Sequence, residues 1–413
     1  MMVAGARLVP TTRRQRKPHK KSRSGCRNCK LRRVKCDECK PMCMNCLDFG
    51  FACNYNPEVP DLHLRTSGAA CIDARPANPV STNETILAMI NGSQSRDQIS
   101  APEDLDMLQL DLQDLERLVR FQTRTVFSIG TSNGVHVYQN QVTKLANTHP
   151  FLMHVIQAAT AIHDRYLSGS AGAKPSAAEI YHYGQAAALL NKKLSAPIRP
   201  GDRDALWATA ALLGVIALSS IDATTPEEAW PLKPASPSDL DWLRMSQGKK
   251  AIWKIANPFR EDSVFHPMSN GFHQTNMFAM EPLPGQGIML SALADLCNLH
   301  DSPIPESNPY YRAVHSLVPL LDMQFDESTI VRFLSFISHF TPEFHALLLQ
   351  KDPRALLLLA YWYAKVGKTQ WWIAYRAHIE CQAICIYLDR YHADNTALQK
   401  LLHFPKMRCG LIV

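Results

Sequence analysis

From Asp104 to the C-terminus, apolar residues recur at spacings of three and four, the period of a helix that buries one face. Leu105, Leu108, Leu112, Leu115 and Val119 mark the first stripe. Thr148-His149-Pro150 opens an apolar stretch that runs through Ile162. Ser176 and Glu179 have capping-box spacing ahead of Ile180, Tyr183, Ala187 and Leu190. Asp352-Pro353 sets a capping side chain and a first-turn proline before the run Ala355 to Ala364. Period-two alternation is scarce, and Gly134 to Tyr138 is the best strand candidate. The pattern predicts an all-α domain over residues 104–413.

Two stretches invite other readings. Leu105 to Val119 spans two heptads, fewer than the ~3–4 that mark a coiled coil, so it reads as the first helix of the domain. The run Ala205 to Ile221 contains Thr209, Gly214, Ser219 and Ser220 and falls short of the ~20 apolar residues of a membrane span. A buried core helix is the better reading, and no membrane span is expected.

Upstream the periodicity fades. Residues 55–103 are rich in Pro, Ser, Asn and Gly and read as a linker, with one helical turn at Ile86 to Ile90. Residues 1–25 form a basic tail, and residues 26–54 a cysteine-dense module. Charge sharpens this division. Residues 1–60 hold 14 Lys and Arg against four Asp and Glu, so +10 sits there while the whole chain carries +7, leaving −3 for the rest. That asymmetry suggests a polyanion partner for the N-terminal end.

Seven of the 12 cysteines lie between Cys26 and Cys53. A disulfide framework belongs to secreted chains, but no apolar signal core precedes Arg13, Arg14, Arg16, Lys17, Lys20, Lys21 and Arg23. A reducing compartment and metal ligation are the expectation. Cys26, Cys29 and Cys36 repeat the spacing of Cys43, Cys46 and Cys53, so each half can wrap one metal. Zinc takes four ligands, and two zincs need about eight positions where six thiolates supply six; two bridging thiolates would close the gap. Cys39 breaks the pseudo-symmetry and reads as a free thiol, with substitution for Cys36 as the alternative.

The segment Cys26 to Cys46, with Cys53 beyond it, resembles the fungal-type binuclear zinc cluster of transcription factors. The resemblance implies two Zn2+ per chain held by Cys26, Cys29, Cys36, Cys43, Cys46 and Cys53, with Cys26 and Cys43 as the bridging pair. It also implies double-stranded DNA as partner, read by Lys30, Arg32, Arg33 and Lys35, and a nuclear location. The residues agree on their own terms. If Arg27 to Lys35 form a helix, Leu31 and Val34 share a face that would pack on the cluster, and Arg32 and Arg33 point away from it. Arginine forks match guanine edges in the major groove, and Cys43 to Cys53 contains no Lys or Arg at all.

The 104–390 stretch resembles the regulatory domain of fungal sterol-uptake-control regulators, through Lys144 to His154, Ala205 to Ile221, Ala355 to Tyr363 and Trp371-Trp372. That likeness implies an apolar small-molecule ligand, and the heptad spacing leaves a homodimer open. Tyr361, Trp362, Tyr363, Trp371 and Trp372 line a pocket or fill the core. The function expected is a sequence-specific factor regulating RNA polymerase II transcription, for a sterol or secondary-metabolite pathway. The alternative is a zinc-stabilised nuclear protein-interaction platform. An enzyme is not expected: HExxH and P-loop spacings are absent, and an all-thiolate site leaves no open coordination position.

Overall fold

The computed structural model describes residues 24–31, 34–40, 43–48, 53–55, 86–91, 110–269, 288–300, 307–367 and 370–412. The chain divides into two compact units, residues 1–79 and 80–413. Among the described residues the secondary structure is helical and contains no strand.

The second unit is layered around helices that are buried on nearly every side. Pro150–Leu167 packs against Leu112–Thr123, Ala177–Leu194 and Arg203–Ser219. Pro353–Val366 packs against Trp371–Tyr391 and Thr396–Arg408, and Trp371–Tyr391 returns to Arg203–Ser219. The run Leu356 to Tyr363 is buried at every position, so this helix carries no polar face. Its start follows from the sequence: the Asp352 carboxylate accepts from the N–H groups of Arg354 and Ala355 at 3.0 and 2.9 Å, and from the Tyr310 hydroxyl at 2.9 Å. The Ser176–Glu179 capping box forms as well. Arg203–Ser219 is the expected core helix, and no described helix is long and apolar enough to cross a membrane. Residues 86–91 form the expected helical turn; Leu87 and Ile90 join the main core, and Asn91 pairs with the Leu110 backbone.

Three expectations are corrected. Gly134 to Tyr138 is helical, passing from Ser132–His136 into the π-helix Val137–Val142. Gly134, Val137, Val142 and Ala146 face inward, and a Cβ at Gly134 would lie 2.9 Å from Met268 Cε. Five alternating residues satisfied both periods, and packing selected the helical one. The first stripe is offset. Its helix starts at Leu112 behind the Asp111 cap, Leu115, Leu118 and Phe121 point inward, and Leu112 and Val119 are exposed. Leu105 and Leu108 lie outside the described residues. Third, Ala177–Leu194 turns Glu179, His182, Ala186 and Leu190 inward and leaves Ile180 and Tyr183 exposed. Its polar residues are inside because partners await them there: Arg165 Nε lies 3.1 Å from Glu179, and His182 Nε2 lies 3.1 Å from Asp114.

The aromatic run is mainly core. Trp362 Nε1 donates to the Phe333 carbonyl at 2.8 Å, and the Tyr361 hydroxyl donates to Leu401 at 2.7 Å. Tyr363 pairs with Glu380, which is itself paired with Arg376. Arg376 reaches further, donating to the Leu218 carbonyl at 3.0 Å and to Ser220 at the end of Arg203–Ser219. One guanidinium therefore caps one helix and neutralises the buried carboxylate of another. Arg376→Met should cost about 3–5 kcal/mol, because it strands a buried charge. The double change Arg376→Met with Glu380→Leu should recover most of that in urea denaturation. A single-variant loss below about 1 kcal/mol would remove this pair from the fold's supports.

Buried histidines add a pH dependence. Burial holds His154 and His163 each down at about 4; His154 Nδ1 is 2.9 Å from His182 Nδ1, and His163 is stacked on Trp371. The folded chain keeps both neutral where the unfolded chain binds protons, so stability is complete above about pH 6.5 and falls as pH drops toward 4. Each contributes at most about 1.4 kcal/mol per pH unit. The urea midpoint followed by circular dichroism should drop between pH 7 and pH 5, less so in His163→Gln. An unchanged midpoint refutes the assignment.

Candidate metal centre

Two one-turn helices, Arg27–Leu31 and Met44–Asp48, begin directly after Cys26 and Cys43. Five residues cannot sustain a helix in water alone, so something else must hold these turns. It is a knot of sulfur. Cys26, Cys29, Cys36, Cys43, Cys46 and Cys53 are all buried, and none forms a disulfide. Cys26 Sγ lies 3.8 Å from Cys43 Sγ and 3.6 Å from Cys46 Sγ; Cys29 Sγ lies 3.6 and 4.0 Å from the same two atoms. A disulfide needs about 2.05 Å. Thiolates at ~2.3 Å on a tetrahedral zinc stand about 3.8 Å apart, which these separations match.

The two halves repeat one contact. The Cys29 N–H points at Cys26 Sγ and the Cys46 N–H at Cys43 Sγ, both at 3.4 Å. Cys43 N–H lies 3.5 Å from Cys53 Sγ. Such donors favour thiolates, but not enough of them. Burial, then neighbouring thiols, pushes Cys29 and Cys46 up, and burial first among its causes pushes Cys53 to about 11. Burial also opposes ionisation of Cys26, yet the Cys29 N–H and adjacent thiols outweigh it and lower that group. Several thiolates in so small a volume require cations, and the donor set fits zinc.

Polar contacts close the module. The Asn28 N–H donates to Asn54 Oδ1 at 2.7 Å, tying the first turn to the residue after Cys53. Tyr55 packs on the cluster with its hydroxyl 3.1 Å from Cys36 Sγ. Asn45 Nδ2 donates to the Lys35 carbonyl at 2.8 Å, and Asp37 accepts from the N–H groups of Cys39 and Asn45 at 3.0 and 3.2 Å. Cys39 is exposed and takes no place in the sulfur knot.

The expected packing of Leu31 and Val34 on the cluster is not found. They are 50% and 37% exposed, and Tyr55 covers the cluster instead. The described helix is Arg27–Leu31, residues 34–39 are not helical, and the Val34 N–H bonds to the Cys29 carbonyl at 3.1 Å. By Val34 the chain is out of the helix, and it brings Cys36 back to the other cysteines. Lys30 and Lys35 are exposed; Arg32 and Arg33 lie outside the described residues.

The second unit gathers groups that the sequence scattered. Cys381, Cys385 and Cys409 converge with their Sγ atoms within 4.8 Å of one another, all buried. A cavity of about 130 Å³ lies among Arg203–Ser219, Asp241–Ala256 and Ile330–Ser338, lined by Trp207, Trp242, Lys249, Phe265, Leu334 and Trp372 among others. Of the five aromatics Tyr361, Trp362, Tyr363, Trp371 and Trp372, only Trp372 lines it. Lys249 gave no signal in the sequence, because Lys249-Lys250 reads as a solvated pair. His149 and His163 serve structure, beside Asp202 at 3.5 Å and Thr125 at 3.0 Å.

Residues 24–61 match the fungal Zn(2)-Cys(6) binuclear cluster domain, which binds two zinc ions through six cysteines. A Zn(2)-C6 fungal-type transcription factor of Gibberella zeae is 25% identical over 87% of this chain and 80% of its own length. Sterol uptake control protein 2 of Saccharomyces cerevisiae is 44% identical over 17% of this chain and 7% of its own. The Zn(2)-C6 fungal-type transcription factor afumD of Aspergillus fumigatus is 30% identical over 35% of this chain and 33% of its own. The chain thus spans most of the first relative and a third or less of the other two. With Cys26, Cys29, Cys43 and Cys46 gathered within 4.8 Å and residues 24–61 matching that domain, this chain carries a fungal Zn(2)-Cys(6) binuclear cluster and is a DNA-binding transcription regulator, not an enzyme.

Proposed function

We propose that this regulator reads a specific double-stranded DNA sequence in the nucleus and controls RNA polymerase II transcription of a sterol or secondary-metabolite pathway. Its zinc ligands are Cys26, Cys29, Cys36, Cys43, Cys46 and Cys53, with Cys26 and Cys43 bridging. Lys30, Arg32, Arg33 and Lys35 face the DNA, a linker follows, and the helical unit senses an apolar ligand. The observation that carries this reading is the buried cysteine cluster, in which Cys26, Cys29, Cys43 and Cys46 converge within 4.8 Å with Cys36 and Cys53 packed against them, while Lys30 and Lys35 stay exposed. Zinc locks the fold of the module, and its own residues do the reading. A guanidinium fork bonds two acceptors on a guanine edge, whereas lysine ammonium groups bind phosphates as point charges. Pairing of two chains would set the spacing of half-sites. The relatives named for sterol uptake support the pathway. The exposed Leu31, Val34 and Met44 favour a second reading, a protein-docking module.

Metal content separates the cysteines. The full chain should hold close to two zinc ions, and Cys26→Ala or Cys43→Ala should release more metal than Cys39→Ala. Equal loss in Cys39→Ala and Cys26→Ala, measured by elemental analysis, would overturn the ligand set.

DNA selection separates the basic residues. Arg32→Ala or Arg33→Ala should weaken the selected site by about 1–3 kcal/mol and relax its sequence. Neutralising Arg13 to Lys21 should weaken all duplexes alike and flatten the salt dependence, the slope falling by roughly 0.9 for each phosphate no longer neutralised. If Arg33→Ala recovers the parent motif at parent affinity from a random duplex library, these residues do not read the bases. The docking reading then leads.

A further inference from the structure

The cavity in the helical unit is largely apolar in its walls, with four hydroxyl side chains and a single charged one. Trp207, Phe259, Phe265 and Leu334 supply ring and aliphatic surface. Lys249 is the one charged residue among those lining it. Its ammonium stands 5.1 Å from the centre of the Trp207 ring, which is a cation–π contact. Among the described residues no carboxylate pairs with it, whereas Arg165 has Glu179, Arg260 has Asp204 and Arg376 has Glu380. Burial, with no opposing charge, brings the Lys249 ammonium down to about 8.

Two further donors at the same cavity lack acceptors. Trp242 and Trp372 line it, and the indole N–H of each is buried without a hydrogen-bond partner. The contrast within the unit is informative. Trp362 and Trp371 both bond, to the Phe333 carbonyl at 2.8 Å and to Ser128 Oγ at 3.0 Å. Lysine and tryptophan side chains only donate. The cavity has one cation, two buried indole N–H groups without partners and only the hydroxyls of Thr131, Tyr138, Ser246 and Ser338 as side-chain acceptors, with no carboxylate among its lining residues. The missing partner must therefore bring oxygen lone pairs and negative charge on an apolar body.

We propose that this cavity binds a compact apolar carboxylic acid, its carboxylate paired with Lys249 and its body against Trp207 and Phe265. The size follows from the volume. About 130 Å³ is close to a cavity of ~150 Å³ that takes a single benzene ring, so one ring fits and a fused four-ring skeleton does not. The inference rests on the ligand-sensing reading above and gives that ligand a chemical class.

The test uses the full zinc-loaded chain, titrated calorimetrically with benzoate, phenylacetate and cyclohexanecarboxylate, with their methyl esters, and with cholate. At least one single-ring acid should bind tenfold or more tighter than its ester, with a matching rise in melting temperature. Lys249→Met keeps the stem and removes the charge; it should abolish the preference for acid, leave ester binding in place, and melt no lower than the parent without ligand. If acids and esters bind the parent equally, or if Lys249→Met keeps the preference, the role of Lys249 is refuted while the ligand-sensing reading stands. Binding of cholate without the single-ring acids overturns the size assignment. Failure of all seven compounds to bind parent or variant overturns the proposal, and ligand-free protein by native mass spectrometry would then remove the ligand-sensing reading as well.

Discussion

Buried thiolates repel one another, and the N-terminal module exists because cations offset that repulsion. Around its two helical turns there is no aliphatic core among the described residues: those buried are the six cysteines, Gly25, Asn28 and Asn54, with Tyr55 at the edge. Small domains without a sufficient hydrophobic core need another staple, and here metal–sulfur bonds take that part. The consequences reach the surface. Because the cluster replaces an apolar core, Leu31 and Val34 have no interior to enter and stay outside beside Lys30 and Lys35. The same requirement keeps residues 34–39 out of a helix, since Cys36 must return to the sulfur.

The helical unit solves the opposite problem, with much apolar surface and a few polar groups to satisfy within it. Pro353–Val366 sits with apolar side chains on all sides, as a helix does at the centre of a large core. Its polar neighbours are satisfied in chains that tie distant segments together. Arg376 joins Glu380 and Tyr363 to the carbonyls closing Arg203–Ser219. Asp114 anchors Arg117, His182 and, through its carbonyl, Gln157 at 2.9 Å. These networks fix which helix faces meet, because a shifted register would strand a buried charge. Against that background the indole N–H groups of Trp242 and Trp372 are left without hydrogen-bond partners, and Lys249 has the Trp207 ring in place of a carboxylate.

The unit pairs a strict interior with a surface that departs from simple amphipathicity. Ile180, Tyr181 and Tyr183 lie outward on Ala177–Leu194 while Glu179 and His182 lie inward. Hydrophobicity set the existence of this helix, and its capping box set its start. The rotation was decided by Arg165 and Asp114, which could be reached only by turning polar residues in.

What the sequence determined by itself was local or periodic. The spacing of six cysteines named the cluster, since ligand geometry is short-range and tolerates few spacings. Caps at Ser176 and Asp352 and the dense runs at Ala205 and Ala355 placed helices for the same reason. The tertiary structure decided what depends on partners far along the chain. It chose helix over strand at Gly134 to Tyr138, turned the Leu112–Thr123 stripe onto Leu115, Leu118 and Phe121, and joined Cys381 and Cys385 to Cys409. It also set Lys249, one of two adjacent lysines, against an apolar cavity. Burial and charge pairing act across space, and a side chain's neighbours in space are fixed only when the whole chain has folded.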